Sequence, residues 1–177
     1  MKLNKIIVMG FFAFGVGVSS QANSADGTVT FTGAITATPC SIHPDSVDQT
    51  VPLGTVAKHV LDNGGTSVPR QFDIKLEQCD ISMLTGPTVT TTFNGSAGPT
   101  SPAGLLGIYG TARGASVAIT DIASNPIPLG TASLAQTLVD GGNTLRFTAY
   151  LQGDNSVTNP VTPGDFSAVT DFVLNYL

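Results

Sequence analysis

Gly164-Asp-Phe-Ser-Ala-Val-Thr-Asp-Phe-Val-Leu-Asn-Tyr-Leu177 is the stretch on which the fold turns. Gly164, Phe166, Ala168, Thr170, Phe172, Leu174 and Tyr176 share one parity. Asp165, Ser167, Asp171 and Asn175 take the other, together with Val169 and Val173. A period of two is the mark of a strand with one buried face. On its own the pattern suits an ordinary core strand. A chain that closes on an apolar strand with almost no tail also needs a neighbour to cover that strand.

Outward from this segment the same period recurs and helical spacing is almost absent. Gln71–Cys79 alternates Phe72, Ile74 and Leu76 against Asp73, Lys75 and Glu77. Further strands are expected at Thr88–Phe93, Leu105–Tyr109, Ser116–Ile122, Thr144–Gln152 and Phe166–Tyr176. Turn chemistry separates them: Gly64-Gly65, Gly86-Pro87, Gly98-Pro99, Asn125-Pro126, Gly141-Gly142 and Pro163-Gly164. Only Thr55–Leu61 suits a helical turn or two. Many short strands at regular spacing predict one all-β domain, an immunoglobulin-like sandwich. Near the other end, Gly27-Thr-Val-Thr-Phe-Thr-Gly-Ala-Ile35 places Val29, Phe31, Gly33 and Ile35 on one face. An isolated Gly there costs about 0.5–1 kcal/mol and marks either a bulge in a first strand or a close backbone approach.

The 177 residues are 41% hydrophobic and 11% charged, which excludes a mostly disordered chain. Beyond the N-terminus no apolar run reaches ~18 residues, which excludes a polytopic membrane protein. Seven basic residues against twelve acidic ones argue against a nucleic-acid surface. Lys2 and Lys5 precede the apolar stretch Ile6–Val18, and Ser20-Gln21-Ala22 suits a signal-peptidase site, with Ala25 a second candidate. Residues 1–22 are therefore expected to be a secretory signal. Its removal takes two lysines and leaves a net charge of −7, five basic against twelve acidic. In an exported chain Cys40 and Cys79 are most simply a disulfide. Closing that 39-residue loop is worth roughly 4 kcal/mol in the chain-entropy model. A metal site or a free nucleophile fits poorly, because neither cysteine has a partner motif nearby.

The stretch from Gly33 through Cys40-Ser41-Ile42, then Leu53-Gly54 and Asp73-Ile-Lys-Leu-Glu-Gln-Cys79, resembles chaperone–usher fimbrial subunits, nearest to the major rod pilins of P-type and type 1 pili. The ending matches as well, with Tyr176 penultimate and Gly164 fourteenth from the C-terminus. The resemblance implies an incomplete sandwich whose missing strand comes from a neighbouring subunit, after a periplasmic chaperone has lent one and at an outer-membrane usher. It implies residues 23–39 as a donor-strand extension and 40–177 as the pilin domain. Val29, Phe31 and Ile35 would enter the neighbour's groove, and Gly33 would pass where a side chain does not fit. Gly164, Phe172, Leu174 and Tyr176 would belong to the groove strand and contact the chaperone. The implied role is structural, in a fimbria on the bacterial surface, with other pilin subunits as partners.

Other classes have less support in the residues. His43 and His59 are the only imidazoles and sit in no nucleophile, zinc or phosphate motif. Asp73 and Glu77 read as solvated, and Asp45 with Asp48 lacks calcium-loop spacing. No enzyme activity and no cofactor are expected. Asn94-Gly95-Ser96 fits a glycosylation sequon but reads rather as a hairpin turn. A minor or adaptor pilin, or a carbohydrate-binding adhesin, is the alternative. The adhesin fits less well, since the chain has no Trp to stack on sugars and no length for a receptor domain.

Overall fold

The computed structural model describes residues 26–98, 103–155 and 157–177. The expected signal, residues 1–22, and the first three residues of the extension lie outside them. Two compact units are distinguished, Met1–Thr36 and Ala37–Leu177. In the first, residues 26–36 form neither helix nor strand. Val29, Phe31 and Ile35 are 75%, 90% and 104% exposed. The alternation there is a strand pattern without a ladder, and a lone strand has no hydrogen bonds to hold its extended form.

The second unit is built almost wholly from antiparallel strands. In chain order these are β1 (Ser41–Ile42), β2 (Arg70–Cys79), β3 (Thr88–Asn94), β4 (Leu106–Gly107) and β5 (Tyr109–Gly110). Then follow β6 (Ala115–Asp121), β7 (Gln136–Thr137), β8 (Gly141–Gly153), β9 (Phe166–Ser167) and β10 (Asp171–Tyr176). One sheet has the order β1-β2-β8-β6-β4 and the other β10-β3-β7, while β5 and β9 form a small pair. One short helix, α1 (Lys58–Leu61), falls inside the expected helical segment and runs into a three-ten turn at Asp62–Gly64.

The two sheets meet through their alternating apolar faces. Phe72 lies opposite Phe147 and Ile74 opposite Leu145, while Asp73 and Arg146 share the outer face. From the second sheet Phe93 closes on this pair, 5.1 Å from the Phe147 ring and 6.1 Å from that of Phe72, edge-on to both. Edge-to-face rings of this kind add about 0.5–1.5 kcal/mol beyond their buried area. Around them pack Ile74, Leu76, Val89, Ile119, Leu138 and Leu145, all buried. Cys40 and Cys79 form a disulfide within this same cluster.

Two details depart from simple alternation. Cys79 has the parity of Asp73 and Glu77, yet it is buried. The β2–β8 register shifts between Leu76 and Cys79, and Gln78 takes a positive φ of 53°. This bulge inserts one residue and turns the cysteine back to the core. The expected strand Phe166–Tyr176 is two strands, because β9 pairs with β5 while β10 pairs with β3. Nor is Asn94-Gly95-Ser96 a hairpin turn. It carries the chain from β3 to the edge of the other sheet, where Ala97 bridges Leu106.

Candidate functional site

Among the described residues strand β10 has one hydrogen-bonded neighbour, β3, and forms the edge of its sheet. Phe172 lies opposite Phe93, Leu174 opposite Thr91 and Tyr176 opposite Val89. These three inward residues are half-buried, whereas Asp171, Val173 and Asn175 are exposed. An edge strand presents a row of unpaired N–H and C=O groups, which is a template for another strand.

Beside this edge the sandwich opens into a cleft of about 1240 Å³. One wall is the irregular segment 47–56, with Leu53 and Val56, and the other is 161–172, with Val161, Phe166, Ala168 and Phe172. Its floor is the inner face of both sheets: Phe72, Phe93, Leu106, Val117, Ile119 and Leu151. A second apolar cluster, Leu61, Leu106, Ala115, Val117, Ala149, Leu151 and Val161, has only half-covered residues as its lid, among them Leu53, Val56, Ile108 and Phe166. The disulfide-bearing half of the core is filled. The cleft half lacks the layer that would cover it.

Of the predicted groove residues, Gly164 and Phe172 line this cleft. Leu174 and Tyr176 do not, and pack against the filled cluster. Burial pushes the Tyr176 phenol above its ordinary value of 10.0, so it stays protonated. At Gly164 a β-carbon would lie 2.5 Å from both the Ala112 amide nitrogen and Thr111 Oγ1. The Thr111 and Ala112 amides donate to the Asp165 carbonyl at 2.9 and 3.1 Å, and the Asp165 amide donates to Thr111 Oγ1 at 3.0 Å. Glycine is required because two backbones cross here. A β-carbon at Gly33, by contrast, would meet nothing within 4 Å. The wall at 47–56 was not foreseen beyond Leu53-Gly54, because Val47, Val51, Leu53 and Val56 keep no single period.

The histidines take no part in the cleft. His43 accepts the Asp45 amide at Nδ1, 3.2 Å, and so caps a three-ten turn, while His59 is exposed on α1. Among the described residues no group of three or more His, Cys, Asp or Glu side chains is placed to hold a metal. No helix among them is long and apolar enough to cross a membrane. The arrangement offers an apolar trough beside a free strand edge, suited to binding an extended peptide.

The family model for fimbrial proteins matches residues 29–177. The chain belongs to the fimbrial protein family. This fimbrial protein is 63% identical to the Fimbria A protein of Serratia marcescens over 179 residues, covering 99% of each chain. It is 47% identical to the major MR/P fimbria protein of Proteus mirabilis, again over 99% of both. Among solved structures it is similar to the P pilus rod subunit PapA, with a TM-score of 0.71 and 31% identity over 79% of this chain and all of that one. It is also similar to a subunit of a chaperone–usher pilus whose structure addresses rod uncoiling, with a TM-score of 0.75 and 34% identity over 86% and 96% of the two chains. The fimbrial protein is thus a structural pilus subunit, and its sandwich is the immunoglobulin-like type that lacks a strand.

Proposed function

We propose that the cleft accepts the N-terminal extension of the next copy of this chain, residues 23–39, so that repeated strand addition builds a surface filament. The observation that carries this reading is the pairing of two incomplete parts. One is an edge strand beside an uncovered apolar trough, and the other is an alternating apolar segment with no ladder of its own. Val29, Phe31 and Ile35 supply the covering side chains, each worth roughly 1.5–3 kcal/mol when buried. The backbone hydrogen bonds of β10 supply attachment, and Gly33 passes where a side chain would not fit. A head-to-tail contact of this kind does not close on itself and makes a fibre. Before assembly a periplasmic chaperone lends the missing strand to β10, and an outer-membrane usher is where the exchange takes place. The removal of residues 1–22 on export and the placement of the fibre on the bacterial surface belong to the same reading.

Gly33→Leu tests it. The substitution meets open space in the subunit, so its fold and its chaperone complex are expected to stay intact. Cells producing only this variant are expected to yield chaperone-bound subunit and no filaments. Normal filaments at full occupancy of the variant would overturn the donor register.

A further inference from the structure

The stretch 161–167 of the cleft wall belongs to neither main sheet. Among the described residues its backbone bonds to the rest of the sandwich end on residues 109–113. Tyr109 and Gly110 pair with Ser167 and Phe166. The Thr111 and Ala112 amides meet the Asp165 carbonyl, and Arg113 and Thr162 exchange both backbone bonds at 3.3 and 2.9 Å. At Gly110 and Gly114 a β-carbon would lie 2.3 and 2.4 Å from the Asp165 and Pro160 carbonyl oxygens, so the two backbones touch at both ends of this contact. Val161 and Phe166 therefore stand where the 109–113 loop places them, and with them one side of the trough.

Arg113 fixes that loop. Its Nη1 donates to the Gly110 carbonyl and, at 2.7 Å, to the Ala112 carbonyl. Hydrogen bonds from a charged donor are roughly twice as strong as neutral ones. Among the described residues no carboxylate forms an ion pair with this guanidinium. Arg113 is exposed and lines the cleft, so its bonds serve the loop and not the core.

We infer that Arg113 is a positioning residue for strand addition: through the 109–113 loop it holds the 161–167 wall at the spacing an entering strand needs. The inference deepens the strand-addition reading and rests on it. Without the guanidinium, the Gly110 and Ala112 carbonyls turn to water and the wall loses the brace behind it. The filled half of the core contains no residue of 109–113 or 161–167, so its packing is left alone. Binding of a strand is thereby separable from stability of the empty subunit.

The test is binding of a fluorescent peptide of residues 26–37 by the mature subunit, residues 23–177, freed of chaperone. Binding is read by anisotropy, beside the thermal midpoint of the peptide-free subunit. Arg113→Ala is expected to weaken binding about tenfold or more, the effect of losing charged hydrogen bonds, with the midpoint near that of wild type. Arg113→Lys is expected to restore binding to within about threefold of wild type, since both bonds leave one nitrogen and an ammonium can donate both. Arg146→Ala, on the outer face of β8, is the control and is expected to bind as wild type does. Tight binding by Arg113→Ala would overturn the inference. So would a loss of binding that only tracks a fallen midpoint, failure of Arg113→Ala to fold, or an Arg113→Lys subunit as weak as Arg113→Ala. A wild-type subunit that ignores the peptide would overturn the strand-addition reading itself, and this inference with it.

Discussion

Thr91 is fully buried on the inward face of β3, and its Oγ1 has no hydrogen-bond partner. Its amide donates to Ser133 Oγ at 3.0 Å, so the main chain is satisfied and only the hydroxyl is not. Thr91→Val keeps the shape and removes the desolvated group. A gain of about 1 kcal/mol is expected, read as a higher denaturant midpoint with an unchanged slope. Asp121, at the end of β6, is the opposite case. Burial pushes its carboxyl up, but hydrogen bonds from the Asn125 side chain and from the Asn125 and Ala123 amides outweigh this and hold the pKa below 3.8. A carboxylate whose pKa is lowered by folding stabilises the fold above its unfolded value, and that contribution is lost as pH falls through the folded value. Asp121→Ala should cost about 1–3 kcal/mol at neutral pH. The gap from wild type should narrow once pH drops below 3.8. A gap that is constant from neutral pH to pH 3 would contradict this account of the turn.

At the scale of elements, the strands β2, β3 and β8 were legible because each has one buried face and burial imposes a period of two, whereas β6 is buried along its whole length and was legible as a short apolar run between turn signals. The inward parity of Phe166–Tyr176 was legible for the same reason and holds through the break at 168–170, where the chain leaves β5 for β3. The break itself was not, since pairing partners are tertiary and leave no local pattern. The bulge at Gln78 was hidden likewise: only the β8 register shows why Cys79 faces the core. The cleft was legible as a missing neighbour for the last strand, but its far wall at 47–56 was not, being irregular backbone without a period. Gly164 and Gly33 read alike in sequence and differ in the fold. Gly164→Val drives its side chain into the Thr111–Ala112 backbone and should destabilise the subunit by more than about 2 kcal/mol. The expected readout is a lowered unfolding midpoint and a reduced yield of soluble subunit. A Gly164→Val subunit as stable as wild type would remove the reason given for glycine at that crossing.

The second unit is a sandwich with one half of its core filled and clamped by a disulfide, and the other half open between segments 47–56 and 161–172, at the start of β10. That imbalance is what makes a structural subunit: the free energy withheld from folding remains available for assembly. Any segment that binds the folded subunit and not the unfolded chain must raise its stability in proportion to occupancy. The direct measurement is thermal unfolding of the chain from residue 23 onward, freed of chaperone, with and without a peptide of residues 26–37. The account predicts a low midpoint for the chain alone and a rise that grows with peptide concentration, with a smaller rise for a peptide carrying Phe31→Ala. A robustly stable monomer whose midpoint ignores the peptide would contradict it.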